Sequence, residues 1–373
     1  MALRVGVNLL WCRPGRVGGS EEYLARQLVG LAAVAPEVTA RLLVPPGFAA
    51  AHPELAGRFE LVTGRTVTRY RGARLLAESL TGARAFSGAR VVHHAGGTLP
   101  LRRSSVATLL TVHDVQYLAY PQYFSAARRA YLGHRLPRSV AGATATAVPS
   151  QFVADTLGEA FGVDPRQVVV VPHGYDPPPP SSIPPTDELR RRYRLGDRRV
   201  VVYPAITHPH KGHRLLVDLL AGPWADPDLV VVFLGGAGAA DDAVSTAIAT
   251  RGVGERIIRT GRVTAADRDG LITLADALVF PSDYEGFGAP VLEAMALGTP
   301  VLCSDRGALP EVAGDAAVVR PPTVDDWADA LAELVGRRDE LVARGRRRAE
   351  RFTIAASGAA LATAYRLAAG RES

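Results

Sequence analysis

The chain has 373 residues, 47% hydrophobic and 21% charged, with 43 Lys+Arg against 37 Asp+Glu and a formal net charge of +6. That balance belongs to a folded chain and excludes whole-chain disorder, collagen-like repeats and a disulfide scaffold; the length suits two domains of about 100–200 residues each. Lys211 is the single lysine, so the basic balance reads first as arginine-rich coding over a solvated surface, with an anionic membrane face as its sharper use and a nucleic-acid surface ranked below that.

Short β-branched runs alternate with helical patterns along the whole chain. Strands are predicted at 3–10, 41–44, 59–62, 89–93, 107–112, 144–148 and 168–171, and then at 199–203, 229–234, 256–260, 277–280, 301–304 and 317–319. Helical periodicity marks 22–34, where Leu24, Leu28 and Leu31 share a face, as well as 213–220 and 324–335. Continuous apolar strands between helices indicate parallel sheets covered on both faces.

The pattern breaks at 176–185, where six prolines remove backbone donors and fix φ. The expectation is an α/β chain of two facing Rossmann-like domains. Residues 1–175 form the first half, 176–186 a proline-rich linker, 187–352 the second half and 353–373 a closing helical segment. Open α/β sheets bind ligands beyond the carboxyl ends of their strands, so two facing sheets are expected to enclose the site.

Cys12 and Cys303 are far apart and form no C-x-x-C pair, which fits a reducing compartment and two buried small hydrophobes. The apolar run at 5–12 is short and interrupted by Asn8, and no run approaches the ~20 residues of a membrane span. The expected location is cytoplasmic, with any membrane contact peripheral.

The most informative stretch is Pro281-Ser282-Asp283-Tyr284-Glu285-Gly286-Phe287-Gly288-Ala289-Pro290, continuing to Glu293 and Gly298. Gly286 and Gly288 permit close backbone approach to a ligand. Pro290 suits the first helical position and Gly298 a helix stop. The N-terminus of such a helix is a seat for phosphate. Glu285 and Glu293 would repel a phosphate they touched, so sugar or ribose hydroxyls are their natural partners. The plainer alternative makes Glu285 a helix cap and Glu293 a solvated face residue.

Other strand ends carry comparable features. Gly18-Gly19-Ser20-Glu21-Glu22 follows the first strand and opens a helix, as a turn or as a phosphate nest. Thr111-Val112-His113-Asp114 ends another strand, where a histidine is often structural and Asp114 has an obvious use in orienting the loop. His208-Pro209-His210-Lys211-Gly212-His213 places the single lysine where an ammonium makes a point contact with phosphate. The histidines there lack the Cys or carboxylate spacing of a metal site, and no metal is expected. Gly235, Arg262 and Val263 follow two further strands. Leu234-Gly235-Gly236-Ala237-Gly238 does not make a complete dinucleotide fingerprint.

The Glu285-x7-Glu293 arrangement within E-G-F-G-A-P-V-L-E-A-M-A-L-G-T-P-V resembles the signature of the retaining family-4 glycosyltransferases with a GT-B fold. The other segments match in that family's order, and the resemblance implies that residues 1–175 bind the acceptor, that 187–352 bind the nucleotide sugar, and that the helix at 353–373 crosses back to the first domain. The resemblance implies that Gly18 and Gly19 face the donor diphosphate, that His113 lies beside the transferring sugar, and that Lys211 contacts the diphosphate. It further implies that Glu285 lies by the transferred sugar, that Glu293 holds the ribose, and that Gly235, Arg262, Val263, Gly286, Phe287, Gly288, Ala289 and Pro290 line the donor. Many members carry an arginine five residues before the lysine; here Ile206 stands there, with His208, His210 or an N-terminal arginine as candidates to compensate. The Pro-His-Lys-Gly-His wording is similar to a mannosyl- and rhamnosyl-transferase subgroup.

The implied activity is hexosyl transfer from a nucleotide-diphosphate sugar, GDP-mannose as first choice, to an acceptor hydroxyl with retention, and with no further cofactor. The implied acceptor is a glycan, a lipid-linked saccharide or a small molecule. The competing readings are a sugar-nucleotide epimerase or phosphorylase on the same double sheet, and a non-catalytic nucleic-acid- or membrane-binding protein. Arg69-Tyr70-Arg71 and Arg128-Arg129-Ala130-Tyr131 are the segments suited to a membrane or an anionic acceptor, against the plainer reading of ordinary helix surface.

Overall fold

The fold is described from a computed structural model, over residues 2–13, 18–64, 85–101 and 105–370; the segment around Arg69 and Arg71 lies outside them. The described chain forms two compact units, one of residues 1–174 with 352–373, the other of residues 175–351. All thirteen predicted strands form, with ends shifted by a few residues.

In the first unit, β1 (Leu3–Asn8), β2 (Val38–Val44), β3 (Glu60–Thr63), β4 (Val91–His94), β5 (Ala107–Thr111), β6 (Ala145–Val148) and β7 (Val168–Val170) make one sheet in the order β3-β2-β1-β4-β5-β6-β7. In the second, β8 (Arg199–Tyr203), β9 (Leu229–Phe233), β10 (Ile257–Arg259), β11 (Ala277–Phe280), β12 (Val301–Ser304) and β13 (Val318–Arg320) run β10-β9-β8-β11-β12-β13. Every strand pair is parallel, among them β1 with β2 and β4, and β8 with β9 and β11. In each sheet the order reverses beside the first strand, so the switch points lie between β1 and β4 and between β8 and β11.

Among the described residues the helices of seven or more residues are α1 (Gly19–Val34), α2 (Ala126–Gly142), α3 (Gln151–Phe161), α4 (Thr186–Arg192), α5 (His213–Ala221), α6 (Asp241–Arg251), α7 (Ala265–Leu274), α8 (Ala289–Leu297), α9 (Ala330–Gly336), α10 (Arg338–Ala349) and α11 (Ile354–Gly370). The single helix expected over 324–335 divides at Ala328 and Asp329 into a short turn and α9. One face of the first sheet packs Val5 and Val7 of β1 against Leu24, Leu28 and Leu31 of α1 and Leu361 and Tyr365 of α11. The other packs Leu110 and Val112 against Leu136 and Val140 of α2 and Val153 and Leu157 of α3. Such two-sided burial is why these strands read as unbroken apolar runs.

The final helix belongs to the first unit because glycines let it in. A Cβ on Gly30 of α1 would collide with the Ile354 carbonyl, and one on Gly358 of α11 with the backbone of Gly30 and Leu31. Gly174 has a similar constraint, its added Cβ standing 2.7 Å from the Thr353 carbonyl oxygen. In the proline-rich segment, Pro180–Ser182 makes one 3-10 turn. Ile183 and Pro184 then pack on Gly270 of α7, so this end of the segment lies against the second unit rather than standing off as a spacer. Cys12 and Cys303 are both buried free thiols, and burial pushes Cys303 up to about 12.

Buried histidines set a pH dependence. His93 accepts or donates to Thr111 Oγ1 at 2.7 Å and Tyr365 Oη at 2.9 Å, and burial followed by its histidine neighbours pushes its pKa down to about 3. Burial takes His94 down to about 4. A lowered histidine pKa means that the unfolded chain binds protons first, so this stabilisation is present above about pH 6.5 and is lost as pH falls toward the folded values. At pH 5 the loss is on the order of 1–2 kcal/mol per buried histidine. His52, raised by its hydrogen bond to Glu21, works the other way: its contribution is full below about 6.5 and fades as pH rises through its folded pKa. Because the lowered histidines outnumber it, the melting temperature is expected to fall from pH 7 to pH 5; a flat or rising profile by differential scanning calorimetry contradicts this.

Candidate functional site

In the second unit the loops after β8 and β11 meet at the switch point. Gly212 ends the Pro209–Lys211 turn at φ +68°, and a Cβ there would strike the Pro281 carbonyl. The Asp283 N–H donates to the His210 carbonyl at 2.8 Å. The Tyr203 hydroxyl at the end of β8 donates to the Lys211 carbonyl. From the other side, Ala308 N–H donates to the Glu285 carbonyl at 3.0 Å, and Gly307 at φ +62° packs on the Glu285 backbone. With both backbones clamped, Lys211 Nζ stands 2.5 Å from Glu285 Oε1 and 5.5 Å from the Phe280 ring centre. The pair is only 18% and 14% exposed.

Burial and the Lys211 charge push His210 down to about 3 and His213 to about 4. His210 is therefore neutral at physiological pH and does not replace the cation missing at Ile206; it offers hydrogen bonds only. Its ring lies nearly parallel to that of His208, centres 5.9 Å apart.

Gly288 caps helix α8, and its φ of +93° and contact with Leu309 demand glycine for folding as well as for any ligand. The cap position is taken by Gly288, three residues on, so Glu285 is not the helix cap. Pro290 takes the second helical position, after Ala289, rather than the first. Pro290 has no N–H and the Val291 N–H returns to the Gly288 carbonyl at 2.9 Å, which leaves Ala289 as the donor of that first turn. Phe287 is buried and packs; Gly286, Ala289 and Pro290 are half-exposed.

Glu293, one turn on, is 3% exposed, which removes the solvated-face alternative. Its carboxylate lies 3.8 Å from Arg268 Nη2, and that guanidinium also holds Asp269 Oδ1 at 3.1 Å. Tyr175 sits beside them, its pKa raised by burial and then by the charges of Asp269 and Glu293. Arg268, Asp269 and Tyr175 were not legible from sequence. Only the packing of α7 on α8 brings Arg268 and Asp269 to Glu293.

The remaining donor-side residues border this loop set. A Cβ on Gly235 would collide with the Ala205 carbonyl, so this glycine packs the β9 loop on the β8 loop. Arg262, exposed after β10, runs alongside Gly236, and Val263 is half-buried.

The first unit repeats the logic at its own switch point. His113, just past β5, donates Nε2–H to the Ala95 carbonyl beyond β4 at 3.1 Å. A carbonyl only accepts, so the tautomer is fixed and Nδ1 is left as an acceptor. The Tyr23 ring meets His113 edge-on at 5.6 Å and stacks on His173 at 4.1 Å, while Trp11, after β1, stands 6.2 Å from His113. Burial lowers the His113 pKa, against the raising effects of its Ala95 hydrogen bond and Asp114. Asp114 Oδ1 accepts the Gln116 N–H at 3.0 Å and so orients the turn. Trp11, Tyr23 and His173 were missed from sequence, although each lies just after a strand or in the first helix.

Gly18 caps α1 with no side-chain bond, and Gly19 is the first helical residue; both are exposed with open space where a Cβ would stand. The first-turn carboxylates are engaged locally. Glu22 pairs with Arg26. Glu21, 4% exposed, accepts the Arg13 N–H at 3.1 Å and lies 2.9 Å from His52 Nε2. Among the described residues no group of three or more His, Cys, Asp or Glu is placed to hold a metal ion, and no helix is long and apolar enough to cross a membrane.

Comparison with known proteins follows this division. Residues 17–178 match the family described as Glycosyltransferase Family 4, and residues 185–352 match Glycosyl transferases group 1. The chain is 30% identical over 273 residues to the O-antigen chain mannosyltransferase B of Escherichia coli, covering 70% of each chain. It is 34% identical over 168 residues to a GDP-mannose-dependent alpha-(1-6)-phosphatidylinositol monomannoside mannosyltransferase of Mycobacterium tuberculosis, covering 42% of this chain and 44% of that one. Among solved structures, Anabaena Alr3699/HepE in complex with UDP and glucose superposes with a TM-score of 0.74 at 17% identity, covering 97% of this chain and 98% of that one. Sucrose-phosphate synthase from Thermosynechococcus elongatus does so with a TM-score of 0.76 at 20% identity, over 97% and 98%.

Proposed function

This chain belongs to the family-4 glycosyltransferases, and we propose that it moves mannose from GDP-mannose to an acceptor hydroxyl with retention of anomeric configuration. The single observation that carries the reading is the Lys211–Glu285 pair at the β8/β11 switch point, immediately before α8. An ammonium there neutralises charge that develops on a leaving diphosphate, and such electrostatic stabilisation is usually a large catalytic contribution. Within the same unit the Ala289 N–H adds a backbone donor. Glu285 accepts from hydroxyls of the transferred sugar, and Glu293, held by Arg268, from those of the ribose.

In the proposed step the acceptor oxygen bonds to the anomeric carbon as the bond from that carbon to the phosphate oxygen breaks. The acceptor proton passes to the departing phosphate. Attack and departure occur on one face of the sugar, which accounts for retention without the carboxylate nucleophile of a double displacement. His113, neutral and with Nδ1 open as an acceptor, lies beside the transferring sugar in this reading.

Mannose and guanine are favoured by the Pro209-His210-Lys211-Gly212-His213 segment and by the mannosyltransferases among the relatives. The acceptor class is a glycan or lipid-linked saccharide, met on the inner face of the cell membrane. In a thermal-shift panel, GDP-mannose at a hundredfold excess over its Kd is expected to stabilise the protein by about 2.7 kcal/mol. UDP- and dTDP-sugars are expected to do markedly less. An equal response to UDP-glucose overturns the donor assignment, and a product with inverted anomeric configuration overturns the mechanism.

A further inference from the structure

We propose that His93 is a positioning residue for His113: a buried hydrogen-bonded chain from Tyr365 through His93 to Thr111 fixes the ends of β4 and β5 against each other and so sets the His113 imidazole. The proposal rests on the reading that His113 works beside the transferring sugar. Its geometry lies wholly within the first unit.

Two histidines tie these strand ends together in opposite directions. His93 of β4 reaches Thr111 of β5, with Nε2 2.7 Å from Oγ1. His113, two residues past Thr111, returns its Nε2–H to the carbonyl of Ala95, two residues past His93, at 3.1 Å. Both rings lie on the side of the sheet covered by α1 and α11, His93 meeting Tyr365 and His113 meeting Tyr23. Among the described residues the β4–β5 ladder runs only as far as His94 opposite Leu110. At that point the outer neighbours hold each strand: Asn8 of β1 lies opposite His94, and the Val112 N–H donates to the Ala147 carbonyl at 2.9 Å. The two histidine bonds take over where the ladder between β4 and β5 stops.

The chain behind His93 is rigid. His93 and Tyr365 are 0% exposed and Thr111 is 1% exposed. Burial keeps the His93 ring neutral, so one nitrogen donates and the other accepts. Tyr365 Oη, 2.9 Å from Nδ1, and Thr111 Oγ1 satisfy both. Loss of either partner leaves a buried ring nitrogen bare, which costs more than the bond itself. His113 depends on this because its tautomer is set by the Ala95 carbonyl, which can only accept. If the strand ends move apart that bond weakens, the proton is free to occupy Nδ1, and Nδ1 turns from acceptor to donor. A role of His93 in packing alone predicts lost stability and no change at His113.

The test uses Thr111→Val and Tyr365→Phe, near-isosteric changes that each remove one hydroxyl, with Thr111→Ser as the conservative variant that keeps it. In the full chain carrying 15N-histidine, long-range 1H–15N correlation reads each imidazole tautomer, and the His113 signals are identified by their loss in His113→Gln. The wild type and Thr111→Ser should show a single Nε2–H tautomer at His113. Thr111→Val and Tyr365→Phe should show a mixture, with the Nδ1 and Nε2 shifts drawn together. For mannosyl transfer from GDP-mannose to octyl mannoside, kcat should fall about tenfold in those two variants, short of the roughly 10²-fold loss of a 1 Å misplacement. KM for GDP-mannose should stay unchanged, and Thr111→Ser should recover kcat. The proposal is overturned if His113 keeps its wild-type shifts in both hydroxyl deletions, if turnover is unchanged although the tautomer has shifted, or if Thr111→Ser is as impaired as Thr111→Val. Should the wild type transfer no mannose while the tautomer shifts as expected, the activity reading falls and the positioning of His113 by His93 stands.

Discussion

Replacing Lys211 with Met is expected to lower transfer by roughly 10²–10³, the range seen when one preorganised stabiliser of developing charge is removed. The variant should also lose stability, because the Glu285 carboxylate stays 14% exposed with its cation gone. Breaking a buried pair costs about 3–5 kcal/mol, and the residual exposure places this pair toward the lower end. The two losses separate in the double variant Lys211→Met, Glu285→Gln. Stability should return, since no uncompensated charge remains, while transfer should not. Glu285→Gln alone gives the opposite signature: Lys211 is released to the diphosphate, so GDP binds at least as tightly, yet transfer fails because the sugar has lost its acceptor carboxylate. Calorimetric melting, GDP titration and turnover of the three variants decide the matter. Wild-type turnover in either single variant would falsify the assignment of this pair to the site.

The largest structural effect is expected at the crossing of α1 and α11. A Cβ on Gly30 or Gly358 meets backbone, not a side chain able to swing aside. Gly358→Val therefore forces the helices apart and exposes Leu361, Ala362, Tyr365 and Ala368, each buried to 1% or less. It also loosens the Tyr365 partner of His93. Overpacking costs about 1–3 kcal/mol, and separating the helices adds the lost burial of leucine and tyrosine, so about 4 kcal/mol is expected. For a unit of this size that lowers the melting temperature by about 10 °C. Because α11 packs in the first unit, the shift should fall on one of two unfolding transitions. An unchanged melt in Gly358→Val would show that the crossing accommodates side chains and that the glycines serve no packing purpose.

Much of the fold could be read from local pattern. Strand and helix follow from the spacing of apolar residues, and parallel sheets from strands with no polar alternation, such as Val200–Val202. The candidate residues of each unit were legible for a related reason: His113 in the first, and Lys211 and Glu285 in the second, follow strands, and ligands gather at strand ends. What could not be read was which strand ends are neighbours. Lys211 and Glu285 are 74 positions apart. They meet because β8 and β11 lie side by side, an order fixed by crossovers that no local pattern contains.

The same limit applies to burial and charge. His210 looks like a spare cation in sequence, but burial beside Lys211 keeps it neutral. Glu293 looks like helix surface when taken alone, but α7 covers it and supplies Arg268. Gly288 reads as room for a ligand, and its positive φ and its contact with Leu309 add a requirement of folding that the sequence does not show. The sequence by itself determined the periodicities, the two sheets and the identity of the chemical groups at the strand ends. Tertiary structure decided strand order, burial and therefore charge state, because the cost of a charge depends on what surrounds it, and in a doubly wound fold those surroundings come from distant parts of the chain.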